Sequence, residues 1–162
     1  MSKALFVGPQ PTSYEAEQSG EVAQRGSGIE TLIKMMGITK ESFFSSFDYI
    51  NVSAHHEPDG LSPEYHRADI RNIRPLLSGR RIILLGPPVA SAFEIERSKY
   101  EWCQFIDHPV WEDFHGLFCV IPNPSTRNPL YANPEFRGMV LRTMDMLLQL
   151  RDEQKLVTAG GH

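Results

Sequence analysis

Four short runs of branched and aromatic residues constrain this chain more than any other feature. They occupy residues 3–8 (KALFVG), 49–52 (YINV), 80–86 (RRIILLG) and 117–121 (LFCVI), and each passes into a polar turn carrying glycine, proline, serine or asparagine. Apolar runs that short suit strands buried on both faces of a parallel sheet. Helix signals lie between them. Ser27-Gly28-Ile29-Glu30 reads as a capping box, with Ser27 accepting from the N3 amide and Glu30 reaching back. The helix it opens runs through Leu32, Ile33, Met35 and Met36 to Gly37, a suitable C′ residue. A short helix over residues 39–47 is expected to pack Phe43, Phe44 and Phe47.

Ser62-Pro63-Glu64 starts a further helix carrying Tyr65, Ile70 and Ile73 and ending near Pro75. Pro87-Pro88 lead into a helix with Val89, Ala92, Phe93 and Ile95 on its apolar side. Asn133-Pro134-Glu135 caps a last helix with a stripe of Phe136, Met139, Val140, Met144, Leu147 and Leu148. Strands alternating with helices predict an α/β fold, a three-layer α/β/α sandwich around a short four-stranded parallel sheet. Residues 99–116 read as irregular, with Trp102, Phe105 and Trp111 covering one edge of the core. One domain spans residues 1–155, and residues 156–162 form a flexible, frayed tail.

A chain of 162 residues accommodates one such domain with a substantial core. No apolar run is long enough to cross a bilayer and the N-terminus lacks a signal-peptide apolar region, so a cytoplasmic protein without membrane contact is expected. Cys103 and Cys119 have neither disulfide-framework nor metal-knuckle spacing. A net charge of −4 argues against a broad, nonspecific nucleic-acid surface, while leaving room for a local basic rim around Arg25, Arg127 and Arg137.

In parallel sheets ligands bind outside the carboxyl ends of the strands. Polar turns follow the first, second and fourth runs: Pro9-Gln10-Pro11, Asn51-Val52-Ser53-Ala54-His55 and Asn123-Pro124-Ser125. All three converge on one crevice. Prolines 122, 124 and 129 stiffen the last of these turns, which presents Asn123, Ser125 and Arg127 in fixed directions. Each residue also has a plainer reading: Asn51 as a loop tie, Gln10 as inert, Arg127 as a solvated charge. His55 and His56 are adjacent on a strand end and point apart, so no metal is expected there. Asp107-His108 and the Asp113, His115 pair read as surface groups.

Taken in order, these motifs resemble the uracil-DNA glycosylase superfamily from residue 4 to residue 148. Gly8-Pro9-Gln10-Pro11 is similar to its first Gly-x-x-Pro turn, and Asn51 in Tyr-Ile-Asn-Val-Ser to the asparagine that reads the base edge. Residues 80–92 look like the third strand and following helix of the thermophilic-type members. Asn123-Pro124-Ser125 matches the Asn-Pro-Ser of the mismatch-specific branch, and Arg127-Asn128-Pro129 the continuation in the single-strand-selective branch. The resemblance implies a DNA-repair hydrolase that flips uracil or a modified pyrimidine out of DNA and hydrolyses its N-glycosidic bond. It implies catalytic roles for Gln10, holding water, and Asn123, donating to the base carbonyl. Asn51 reads the base, and Ser125 and Arg127 contact nucleic acid.

The chain departs from the family in three places. Gln10 stands where many members have aspartate. The base-stacking aromatic expected before Gly26 is replaced by Val22, Ala23 and Gln24, which leaves Tyr14 as its substitute. The iron–sulfur cysteines of the thermophilic branch are absent, so neither a cluster nor any other cofactor is expected. The implied protein is a monomer whose partner is DNA or a nucleotide-like ligand. Two other readings stay open: a same-fold enzyme or binding module that engages a nucleotide or modified base without excision, and a non-catalytic domain that binds nucleic acid or protein.

Overall fold

The computed structural model of the chain describes residues 3–8, 27–52, 73–111, 114–124 and 128–160. They build an α/β fold on a five-stranded sheet. In chain order the strands are β1 (Ala4–Gly8), β2 (Phe47–Asn51), β3 (Arg81–Leu85), β4 (Phe105–Trp111) and β5 (Phe114–Ile121). Their spatial order is β2-β1-β3-β5-β4. The first four in that order are parallel, with Gly8 opposite Asn51, Val7 opposite Leu84 and Leu85 opposite Ile121. β4 runs antiparallel to β5 along the edge.

The fifth strand corrects the expectation of four. All of β4 and the start of β5 fall in residues 99–116, which read as irregular. The physical reason is its edge position. Asp107, His108 and Pro109 interrupt any apolar run, and the ladder shifts register between Pro109 and Trp111. A charge, a proline and a bulge are tolerated where one side of the strand has no ladder to complete. Such a strand lacks the continuous apolar signature of a buried parallel one.

Period-two alternation sends the strand residues to two cores. Leu5, Val7, Ile82, Leu84, Phe118 and Val120 face one side, where they meet Val89 and Ala92 of helix α3 (Pro87–Ala92) and Phe93 just after it. Phe6, Ile83, Leu85, Cys119 and Ile121 face the other. There they pack on helices α1 (Ser27–Met36), α2 (Lys40–Ser46) and α4 (Pro134–Gly160). Phe6 lies at the centre of an aromatic group, 5.3 Å from the Phe43 ring and 5.2 Å from that of Phe47.

Several boundaries follow local chemistry. α1 stops before Gly37, whose φ of +69° suits glycine. Thr39 caps α2 by accepting from the Ser42 amide at 3.1 Å. Phe47, expected inside that helix, instead opens β2, where it pairs with Ala4. Val52, expected inside the strand, lies one residue beyond it and donates its N–H to Gly8 O at 2.8 Å. The Glu30 carboxylate accepts from Lys40 Nζ at 2.7 Å, an exposed contact that ties α1 to the start of α2.

Asn133 caps α4 by accepting from the Glu135 amide at 2.9 Å. Val140, Met144 and Leu147 of the expected stripe are buried, Leu148 packs against them, and Phe136 and Met139 are half-buried. The helix continues through residues 156–160, which were expected to fray; helix-compatible residues fill that stretch until Gly160. Trp102 and Phe105 flank the core as expected, and the Arg97 guanidinium stacks 4.7 Å from the centroids of both Tyr100 and Trp102. At the amino edge of the sheet, Arg80 bonds Lys3 O at 2.9 Å and pairs with Asp48, linking β1, β2 and the entry to β3. The helix signal at Ser62-Pro63-Glu64 lies outside the described residues. No described helix is long and apolar enough to cross a membrane.

Candidate functional site

Four parallel strands end at one edge, and the chain reverses its direction of travel across the sheet between β1 and β3. β1 has β2 on one side and β3 on the other. That is a topological switch point, the place where open α/β sheets leave a crevice. Two glycines flank it, each letting a neighbouring polar side chain approach the backbone. A Cβ on Gly8 would lie 2.1 Å from the Tyr49 hydroxyl oxygen and 2.8 Å from Asn51 Oδ1. A Cβ on Gly86 would lie 3.2 Å from the Cβ of Asn123, and Gly86 also holds a φ of +96°. Its N–H donates to Ile121 O at 2.9 Å, joining the end of β3 to the end of β5.

Asn51 is the last residue of β2 and is half-buried. The Tyr49 hydroxyl donates to its Oδ1 at 2.9 Å. Residues i and i+2 share a sheet face, so the phenol that packs in the second core also reaches the amide at the rim. Asn123 follows β5 and is exposed. Its loop is braced at consecutive carbonyls: Tyr131 donates its hydroxyl to Pro122 O, and Asn128 donates Nδ2 to Asn123 O at 3.0 Å. Asn128 Oδ1 accepts in turn from the Leu130 amide at 3.1 Å, capping the 3₁₀ turn Pro129–Ala132. Side-chain bonds therefore add to the proline stiffness expected for this loop.

The structure thus brings Asn51 and Asn123 to the same carboxyl edge. β1 and β3 lie between them, so their backbones stand about 14 Å apart, three strand spacings of about 4.8 Å. The two amides do not touch, and a ligand would lie between them. Gln10, Tyr14, Ser125 and Arg127 lie outside the described residues, as do His55 and His56. Tyr49, Gly86, Asn128 and Tyr131 were not anticipated as parts of the site. Two of them carried a signal: Tyr49 by its i−2 spacing from Asn51, and Asn128-Pro129 as a helix-start pair.

Among the described residues no group of three or more His, Cys, Asp or Glu could hold a metal ion. Two clefts, of about 350 and 430 Å³, open elsewhere: one beside Asp48, Ile50 and Arg80, the other beside Arg81, Asp107 and Leu117. Residues 9–26, 53–72 and 125–127, which follow β1, β2 and Pro124 in the chain, lie outside the described residues.

Titratable groups beneath the loop are buried. Burial pushes the Cys119 thiol and the Tyr131 phenol well above their ordinary ranges, and the neighbouring Cys103 adds to both shifts. Cys103 is itself raised by burial, against the hydrogen bond of Thr143 and the charge of Arg142. As pH rises, the unfolded chain loses these protons before the folded one does. Their contribution to stability is complete below the ordinary thiol range and is lost as pH climbs through about 8.5–10 and beyond. The melting temperature should therefore fall between about pH 8 and 10.5, and less steeply in Cys119→Ala. Equal alkaline slopes in the two proteins would remove Cys119 from this account.

No family model matches the chain, and no curated protein matches it.

Proposed function

We propose that this chain is a uracil-DNA glycosylase-like enzyme, built as a three-layer α/β/α sandwich, that flips uracil or a modified pyrimidine out of DNA and hydrolyses its N-glycosidic bond. The observation that carries the reading is the position of Asn51 and the Asn123 loop, on either side of the switch point at one carboxyl edge. When the bond breaks, its electrons leave with the base and positive charge grows on the sugar. A site for this chemistry needs donors aimed at the base oxygen and a held water that adds to the sugar carbon. Asn51, whose amide both donates and accepts, reads the pyrimidine edge. Asn123 donates to the base carbonyl as negative charge builds on it. Gln10 holds the water, Tyr14 stacks on the base, Ser125 grips phosphate, and Arg127 contacts phosphate or fills the vacated stack.

The roles of Gln10, Tyr14, Ser125 and Arg127 rest on the order of motifs in the sequence. A second reading, binding of a nucleotide or modified base without excision, is favoured by the neutral amides at these positions and by the net charge of −4.

Gln10 separates the two. If it holds the attacking water, Gln10→Ala should lower turnover on a uracil-containing oligonucleotide far more than binding, and Gln10→Asp should raise turnover. Equal losses in binding and turnover would make Gln10 a ground-state contact. Binding without turnover in all three proteins would favour the non-excising reading.

A further inference from the structure

Asn123 is exposed, and among the described residues none hydrogen-bonds its side-chain amide. Its backbone is held on several sides. The Asn123 carbonyl accepts from Asn128 Nδ2 at 3.0 Å, and the carbonyl before it, that of Pro122, accepts from the buried Tyr131 hydroxyl. A Cβ on Gly86 would come within 3.2 Å of Asn123 Cβ, so the loop rests against the end of β3. A free amide on a backbone held this way can meet a ligand from one fixed direction.

Asn128 makes the link. Its Oδ1 accepts from the Leu130 amide at 3.1 Å while its Nδ2 donates to Asn123 O. Both partners are backbone groups, and a carbonyl can only accept while an amide N–H can only donate. The Asn128 amide therefore has one orientation, since turning it over would set donor against donor and acceptor against acceptor. Its own carbonyl accepts from the Tyr131 N–H at 3.2 Å, and Asn133, which closes the same turn, caps α4. The bonds run without a break from the start of α4 to the loop after β5.

We infer that Asn128 is the positioning residue for Asn123, a single side chain that sets the loop against the start of α4. The consequence for turnover rests on the donor role proposed above for Asn123. A donor already in place stabilises charge as it develops, with no ordering left to be done during the reaction. Loosening it slows the reaction more than it weakens binding.

Asn128→Asp separates the brace from the cap. Its carboxylate still accepts from the Leu130 amide but has no N–H for Asn123 O. Asn128→Ser does the same with a shorter side chain, whose hydroxyl can cap the turn and cannot span to Asn123. Backbone ¹⁵N relaxation reads the positioning without any ligand. The Asn123 amide should have an order parameter of about 0.85 in the wild type and below about 0.6 in both variants. Exchange of the Leu130 N–H should stay equally slow in all three proteins. An Asn123 amide that stays rigid in both variants would overturn the inference. So would a loop that loosens only where the Leu130 protection is lost.

On a uracil-containing single strand, kcat should fall about ten- to hundredfold in Asn128→Asp, the scale of a small misplacement, with affinity for the strand unchanged. In an Asn123→Ala background the same substitution should bring no further loss. A loosened loop with unchanged kcat, or a full further loss in that background, would overturn the positioning role. A loosened loop in a protein whose wild type shows no turnover would support the positioning and count against the glycosidic reading itself.

Discussion

Asn51→Ala is expected to lower turnover on a uracil-containing single strand by roughly 10²–10³-fold, the cost of losing one preorganised donor from such a site. The fold should survive. Asn51 is half-buried at the last position of an edge strand, and the ladder bonds of β2 belong to the backbone. The main structural consequence is the loss of the bond that the Tyr49 hydroxyl donates to Asn51 Oδ1, a cost of about 0.5–1.5 kcal/mol. Kinetics under single-turnover conditions separate the two effects, provided the melting temperature is measured on the same preparation. Full turnover in a folded variant would remove Asn51 from the chemistry and return it to the role of a loop tie.

The largest effect on stability is expected from Phe6→Ala. Phe6 is fully buried on β1, the strand that joins β2 to β3, and its ring meets Phe43 and Phe47. Removing it deletes contacts with α2 and β2 together and leaves a cavity that rigid strands cannot close. A cost of about 3–5 kcal/mol is expected, against a total stability of about 5–15 kcal/mol for a domain of ordinary size. Urea titration should show a midpoint shifted far down with little change in slope. Phe6→Leu, which refills much of the space, should recover most of the loss. A shift below about 1 kcal/mol for Phe6→Ala would mean that the aromatic group is not the hinge of this core.

The strands β1, β3 and most of β5 were legible because both of their faces are buried and their sequences say so. β4 was not: Asp107, His108 and Pro109 are acceptable on an edge and would not be inside the sheet. Phe47 misled by composition, since a phenylalanine two residues after Ser45 continues an apolar helical face as readily as it opens a strand. Asn51 and Asn123 were legible as the polar residues that end apolar runs, and topology then set them at one edge. Their supports were hidden. The Tyr49 bond depends on the absence of a Cβ at Gly8, and the bracing of the Asn123 loop depends on Tyr131, eight residues away, returning beneath Pro122. Such contacts are properties of the folded backbone: the i−2 spacing sets Tyr49 on the face of Asn51, and the approach of the two then depends on the neighbouring strand.

Under the proposed function, this carboxyl edge supports glycosidic hydrolysis. The direct measurement is incubation with matched single- and double-stranded oligonucleotides carrying uracil or modified pyrimidines, followed by alkaline cleavage at any abasic site. The wild type should cut at uracil or at one of the modified pyrimidines, and faster in the single strand, where flipping is cheaper. Asn51→Ala and Asn123→Ala should each suppress that cutting. Intact strands throughout the panel, or cutting that survives both substitutions, would contradict the account.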